Sequence, residues 1–156
     1  MLIEYQATDM SRQTPDKFEP RRRVTRLMKR ILMQSRALMD DRLRPYGTTT
    51  AQIRLLSAIR RAPGSSGAQL ARQCEVTPQT AQALIQRAEM AGWIVRGKDR
   101  VNERIVTASL TPSGEKLLRT ADRILRSIEI RLWTKVATRE LDRVAAVLET
   151  CLRNIG

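Results

Sequence analysis

The sequence predicts a predominantly helical α+β fold, and three observations carry that prediction. Apolar residues recur at helical spacing through the first and last thirds of the chain, as in RRRVTRLMKRILMQSRALMDDRL and KLLRTADRILRSIEIRLW. Two short β-prone segments, WIV and IVTASL, lie between residues 93 and 110 and flank the charged run RGKDRVNER. The hydrophobic fraction, 42% of 156 residues, supports a sizeable core, so a charged fraction of 29% does not imply a disordered chain.

The charge balance bounds the partners. Lys and Arg number 29 against 16 Asp and Glu, a formal net charge of +13 that favours an anionic partner. Nucleic acid is expected ahead of acidic lipid, because no long apolar segment or secretory pattern accompanies the charge; no membrane is expected as a partner. Aromatic residues make up only 3%, which leaves little for a platform on which RNA bases could stack. There is no histidine, so the commonest general base and metal ligand is missing. Cys74 and Cys151 form no CxxC pair, which disfavours a zinc site or a thioredoxin-like redox pair; each is expected to behave as a small hydrophobe in a reducing, cytoplasmic location. Ser65, Ser66, Asp99 and Glu103 are polar but form no nucleophile constellation, so no enzyme, catalytic residue, metal or cofactor is expected.

Element by element, residues 1–20 carry two prolines and no periodicity and read as a flexible arm. Residues 21–47 read as an N-terminal helix in which Val24, Leu27, Met28, Ile31, Leu32, Leu38 and Met39 form an apolar face, ended at Pro45 and Gly47. A short helix follows over 51–61, with Thr49 or Thr50 as cap and Ile53, Leu56 and Ile59 inward. Ser66 and Gln69 form a capping box for another short helix that carries Leu70 and Ala71 inward. Cys74-Glu75-Val76 is the next turn.

The stretch VTPQTAQALIQRAEMAGW then has a well-specified start: Thr77 caps, Pro78 occupies the first helical position and Gly92 terminates. Ala81, Leu84, Ile85 and Ala88 form its apolar stripe, while Gln79, Gln82, Ala83 and Gln86 face away. After the two strand candidates the cap-then-proline order recurs at Thr111 and Pro112. The helix it opens places Leu117, Leu118, Ala121, Ile124, Leu125, Ile128 and Leu132 on one face, with Trp133 and Val136 near its end. A last helix holds Leu141, Val144, Ala145, Leu148 and Leu152.

Three helices, a strand, a charged hairpin and a strand are the order of a winged helix-turn-helix. That places the DNA-binding module at 48–111 and the C-terminal helices at 112–156. Glutamine offers a donor and an acceptor to adenine in the major groove, so Gln79 and Gln82 are the expected base readers, with Gln86 farther along. Thr77 and Thr80 lie in the first turn, where a helix start also engages phosphate. Arg87 is read either as a phosphate contact or as a surface partner of Glu89 or of a neighbouring helix. Arg96, Lys98, Arg100 and Arg104 supply the cations of the wing, a guanidinium being suited to a narrow minor groove. The competing reading is a protein-interaction adaptor that uses the same face and wing without binding specific DNA.

Over TTAQIRLLSAI, QLARQCEVTPQTAQALIQRAEMAGWIVR and NERIVTASLTPSG the chain resembles the MarR family of winged-helix transcriptional regulators. The family's wing signature is an aspartate, any residue and an arginine, then an apolar strand ending in Leu-Thr, then glycine. Here Arg104, Leu110, Thr111 and Gly114 match it, while Asn102 departs by offering a neutral acceptor in place of a carboxylate. The resemblance implies double-stranded DNA as partner, a homodimer formed through the terminal helices, and repression as the regulatory outcome. Two such helices about 34 to 36 Å apart would read a pseudopalindromic operator. It also implies a small anionic or aromatic effector, for which Arg30, Arg44, Tyr46, Arg54 and Trp133 are polar or aromatic candidates.

Overall fold

The computed structural model describes residues 18–98 and 106–156. In chain order it contains α1 (Glu19–Leu43), a 3-10 turn (Arg44–Tyr46), α2 (Thr50–Arg61), α3 (Gly67–Gln73), α4 (Pro78–Met90), β1 (Ile94–Lys98), β2 (Val106–Leu110), α5 (Pro112–Leu132) and α6 (Thr138–Ile155). The fold is thus mostly helical with one small β-hairpin. The chain divides into two compact units, residues 1–35 and 36–156.

In the first unit the described part is the opening of α1. The helix begins at Glu19, inside the segment expected to be an arm; residues 1–17 of that arm lie outside the described residues. Glu19 suits a first turn, where the helix end is positive, and it pairs with Arg26 at 2.7 Å. The apolar face expected along this stretch is present but uncovered: Val24, Leu27, Met28, Ile31 and Leu32 are all exposed.

The second unit holds the core. Leu43, Leu55, Leu56, Ile59, Leu70, Ile94 and Leu118 are fully buried, drawn from α1, α2, α3, β1 and α5. Each stabilises the unit by about 2 kcal/mol relative to exposure. Helix α2 has the full apolar complement for a central position, with Ile53, Leu55, Leu56, Ala58 and Ile59 buried. Thr49, not Thr50, is its cap, in a capping box with Gln52. Thr50 instead donates both its amide, at 2.7 Å, and its hydroxyl, at 2.6 Å, to Asp40 Oδ1, which fastens the end of α1 to the start of α2. Burial would raise the Asp40 carboxyl, but the two Thr50 bonds and the nearby Arg36 charge outweigh it and hold it below its ordinary value.

Strands β1 and β2 are antiparallel, with Ile94 opposite Leu110 and Lys98 opposite Val106. Trp93, read as the first strand residue, lies just before β1, and a single bridge from Ser66 to Thr107 adds an edge beside β2. Helix α5 buries Leu117, Leu118, Ala121 and Ile128, whereas Leu125 and Leu132 of the same expected face stay exposed. Helix α6 has the amphipathic pattern predicted for it but buries none of its residues. Among the described residues no helix is long and apolar enough to cross a membrane.

Candidate nucleic-acid interface

Helix α4 is built to present one face. Thr77 is extended, its hydroxyl accepts the Thr80 amide at 3.2 Å, and its carbonyl accepts the Ala81 amide at 2.9 Å. Pro78 has no amide, so among the described residues Gln79 is left as the first-turn donor with neither a backbone nor a cap partner. The Thr77 and Thr80 hydroxyls also lie 2.9 Å apart, which ties both side chains to the cap. Ala81, Leu84, Ile85 and Ala88 are buried against the core; Gln79, Gln82, Gln86 and Arg87 are exposed. The sequence therefore placed the inward and outward stripes correctly, because a period of 3.6 leaves no other choice once the apolar residues turn inward.

The far end of α4 is fixed as firmly. Gly92 adopts φ +71°, and its amide and that of Trp93 bond Glu89 O and Ala88 O, both at 2.9 Å, in a Schellman arrangement. Thr111, the cap of α5, donates its hydroxyl to Gly92 O at 2.6 Å and its amide to Trp93 O at 3.0 Å. Gly114 sits in the same corner: a Cβ there would lie 2.1 Å from Trp93 O. The Leu-Thr and glycine of the wing signature are thus the residues by which α5 closes onto the end of α4.

At the wing, Arg96 is only 28% exposed and its Nε lies 2.7 Å from Glu89 Oε2 on α4. The N–H does not point at the carboxylate, so the contact is an ion pair without a directed hydrogen bond. Glu89, offered by sequence to Arg87, thus pairs with Arg96, and Arg87 is left on the surface without a carboxylate partner among the described residues. Arg96 thereby joins the hairpin to α4. Lys98 is the last residue of β1, and Arg100 and Arg104 lie outside the described residues. Met90, missed by the sequence reading, is 87% exposed and falls one turn beyond Gln86 on the same stripe.

A cavity of about 220 Å³ opens between α3, α4 and the hairpin. Leu70, Ile85 and Ala108 give it apolar walls, and Gln82 and Arg96 are among its polar ones. The five residues expected around an effector are not gathered in it. Arg30 lies on the exposed part of α1, Arg44 pairs with Asp41, Tyr46 is exposed in the 3-10 turn, and Trp133 ends α5. Arg54 donates to Cys74 O at 3.0 Å. Cys74 is buried, and that burial raises its thiol pKa, so the cysteine is held as a neutral packing residue.

Residues 46–105 match the model of the MarR family, a span that takes in α2, α3, α4 and β1. Over that segment the chain is similar to the MarR family. Among curated proteins, HTH-type transcriptional repressors of Mycobacterium tuberculosis and Mycobacterium bovis are 28% identical over 123 residues, 79% of this chain and 88% of theirs. Among solved structures, a mutant of MarR from E. coli complexed with operator DNA superposes with a TM-score of 0.73 at 21% identity, over 88% of this chain and 99% of that one. MepR of Staphylococcus aureus, a transcription regulator of the multidrug efflux pump MepA, gives 0.71 at 22%, over 85% and 98%. These structural likenesses concern the fold, and they cover a larger share of the chain than the matched segment does.

Proposed function

We propose that this chain is a transcriptional repressor that binds a pseudopalindromic duplex operator as a homodimer. The observation that carries the reading is the exposed, uncharged face of α4, with Gln79, Gln82 and Gln86 on a helix capped at both ends beside a basic hairpin. A face of this chemistry reads base edges, and the surrounding cations anchor phosphates, so specificity and affinity are divided between helix and wing. The operator bound by one solved relative supports the class of partner. The homodimer is supported by α6, which buries nothing, and by the exposed Val24, Leu27 and Leu32 of α1, which are apolar surfaces a second copy would cover.

Responsiveness to a small effector belongs to the same reading. The cavity beside α4 is smaller than a typical drug-sized site and joins apolar walls to a guanidinium, which suits a compact anion with an apolar body. Its occupant would touch Gln82 and so bind unequally to DNA-reading and non-reading states.

The test is a genomic-fragment binding screen followed by footprinting at physiological salt. A protected site with two half-sites is expected, and Gln82→Ala should weaken binding to it by roughly 1 to 3 kcal/mol while leaving scrambled duplex nearly unchanged. Equal losses on both duplexes would make Gln82 a support residue. Capture of an acidic protein with no protected DNA would point to the adaptor reading.

A further inference from the structure

The turn from α3 to α4 sets the angle at which α4 leaves the core, and it is made without glycine. Cys74 closes α3, and Glu75 follows at φ +53°, a left-handed conformation that a residue with a Cβ adopts reluctantly. Two backbone bonds shape the turn: the Glu75 amide to Arg72 O at 3.1 Å and the Val76 amide to Ala71 O at 3.0 Å. Neither involves the Cys74 carbonyl, which accepts Arg54 Nη2 at 3.0 Å. Arg54 projects from α2, where Ile53, Leu55 and Leu56 are buried, so the donor is anchored in the core. The same nitrogen lies 3.9 Å from Glu75 Oε2, but Glu75 is 86% exposed, and an ion pair that long in water adds little. The hydrogen bond to Cys74 O is the tie.

We infer that Arg54 is a positioning residue for DNA recognition: it holds the left-handed Glu75 turn from α2 and thereby fixes the direction in which α4 presents Gln79 and Gln82. The role presupposes that α4 reads DNA, as proposed above.

The experiment uses full-length protein carrying Arg54→Ala or Arg54→Lys, each alone and combined with Glu75→Gly. Each variant is titrated with the duplex protected in the footprint and with a scrambled duplex across a salt series, and amide hydrogen exchange is followed in parallel. Arg54→Ala is expected to lose roughly tenfold on the protected duplex and less than about twofold on the scrambled one. Arg54→Lys, which keeps a donor, should recover part of the loss. With Glu75→Gly the same Arg54→Ala change should cost less, because glycine holds a positive φ without strain. The amides of Glu75 and Val76 should exchange faster in Arg54→Ala.

Equal losses on both duplexes, with a salt slope lower by about 0.9, would show a direct phosphate contact and overturn the positioning role. The same loss in both Glu75 backgrounds, or unchanged exchange at the turn, would overturn it as well. Wild-type protein that binds both duplexes alike would instead remove the DNA reading. The exchange rates would then still report whether Arg54 holds the turn.

Discussion

Replacing Gly114 by alanine should destabilise this protein, against the ordinary rule for a helix. Gly114 lies in the first turn of α5, and alanine in a helix normally stabilises it by about 1 kcal/mol relative to glycine. Here the added Cβ would lie 2.1 Å from Trp93 O and 3.0 Å from Trp93 C, and both atoms are backbone, so no side-chain rotation relieves the contact. The start of α5 must retreat by about 1 Å to reach van der Waals distance, which stretches the Thr111 bonds to Gly92 O and Trp93 O. Overpacking costs about 2 kcal/mol and two weakened hydrogen bonds about 1 kcal/mol each. Set against the helix propensity gained, the net loss is about 3 kcal/mol. For a chain of this size that lowers Tm by about 6 to 12 °C, readable by circular dichroism. Gly67→Ala is the control, since a Cβ there meets only Ile85 Cδ1 at an ordinary 3.7 Å. A Tm for Gly114→Ala equal to or above that of Gly67→Ala would refute the reasoning.

Three other outcomes follow from particular contacts. Thr77→Ala removes the acceptor of the Thr80 amide and should cost about 1 kcal/mol by urea unfolding, with operator affinity falling further than the stability loss explains. Asp40→Ala should cost about 1 kcal/mol near neutral pH by freeing Thr50. Because the folded Asp40 pKa is depressed, wild type should hold that advantage above the ordinary value of 3.8 and lose it as pH falls through the lower folded value; an advantage that grew on acidification would contradict the bonding described. Val144→Asp with Leu152→Asp should leave helicity intact, since α6 buries nothing, and should shift the mass seen by light scattering from dimer to monomer. A wild-type monomer at working concentration would remove the homodimer.

The caps were legible in the sequence because they are local. Thr77 with Pro78, Ser66 with Gln69 and Thr111 with Pro112 each act within three residues, and all formed as expected. So did the two stripes of α4, since periodicity alone assigns them. What sequence could not supply were contacts that join distant positions. Arg54 meets Cys74 across 20 residues, and Thr111 meets Gly92 across 19. The Glu75 turn was invisible for another reason: a left-handed residue is announced by glycine or asparagine, and here the surrounding bonds impose it on a glutamate. The charge of Arg96 is visible in the sequence, whereas its ion pair with Glu89 on another element is not. Helix α6 showed its apolar stripe plainly, but a stripe does not name the surface that covers it.

The two ends of α4 are held by different parts of the molecule. Its entry is clasped by α2 through Arg54, and its exit is bolted to α5 through Thr111 and the close approach at Gly114. A rod gripped at both ends cannot pivot alone; it travels with its mounts. Communication between two copies would therefore shift whole modules and leave each α4 intact, so amides within it should stay protected while the distance between labels on the two α4 helices changes.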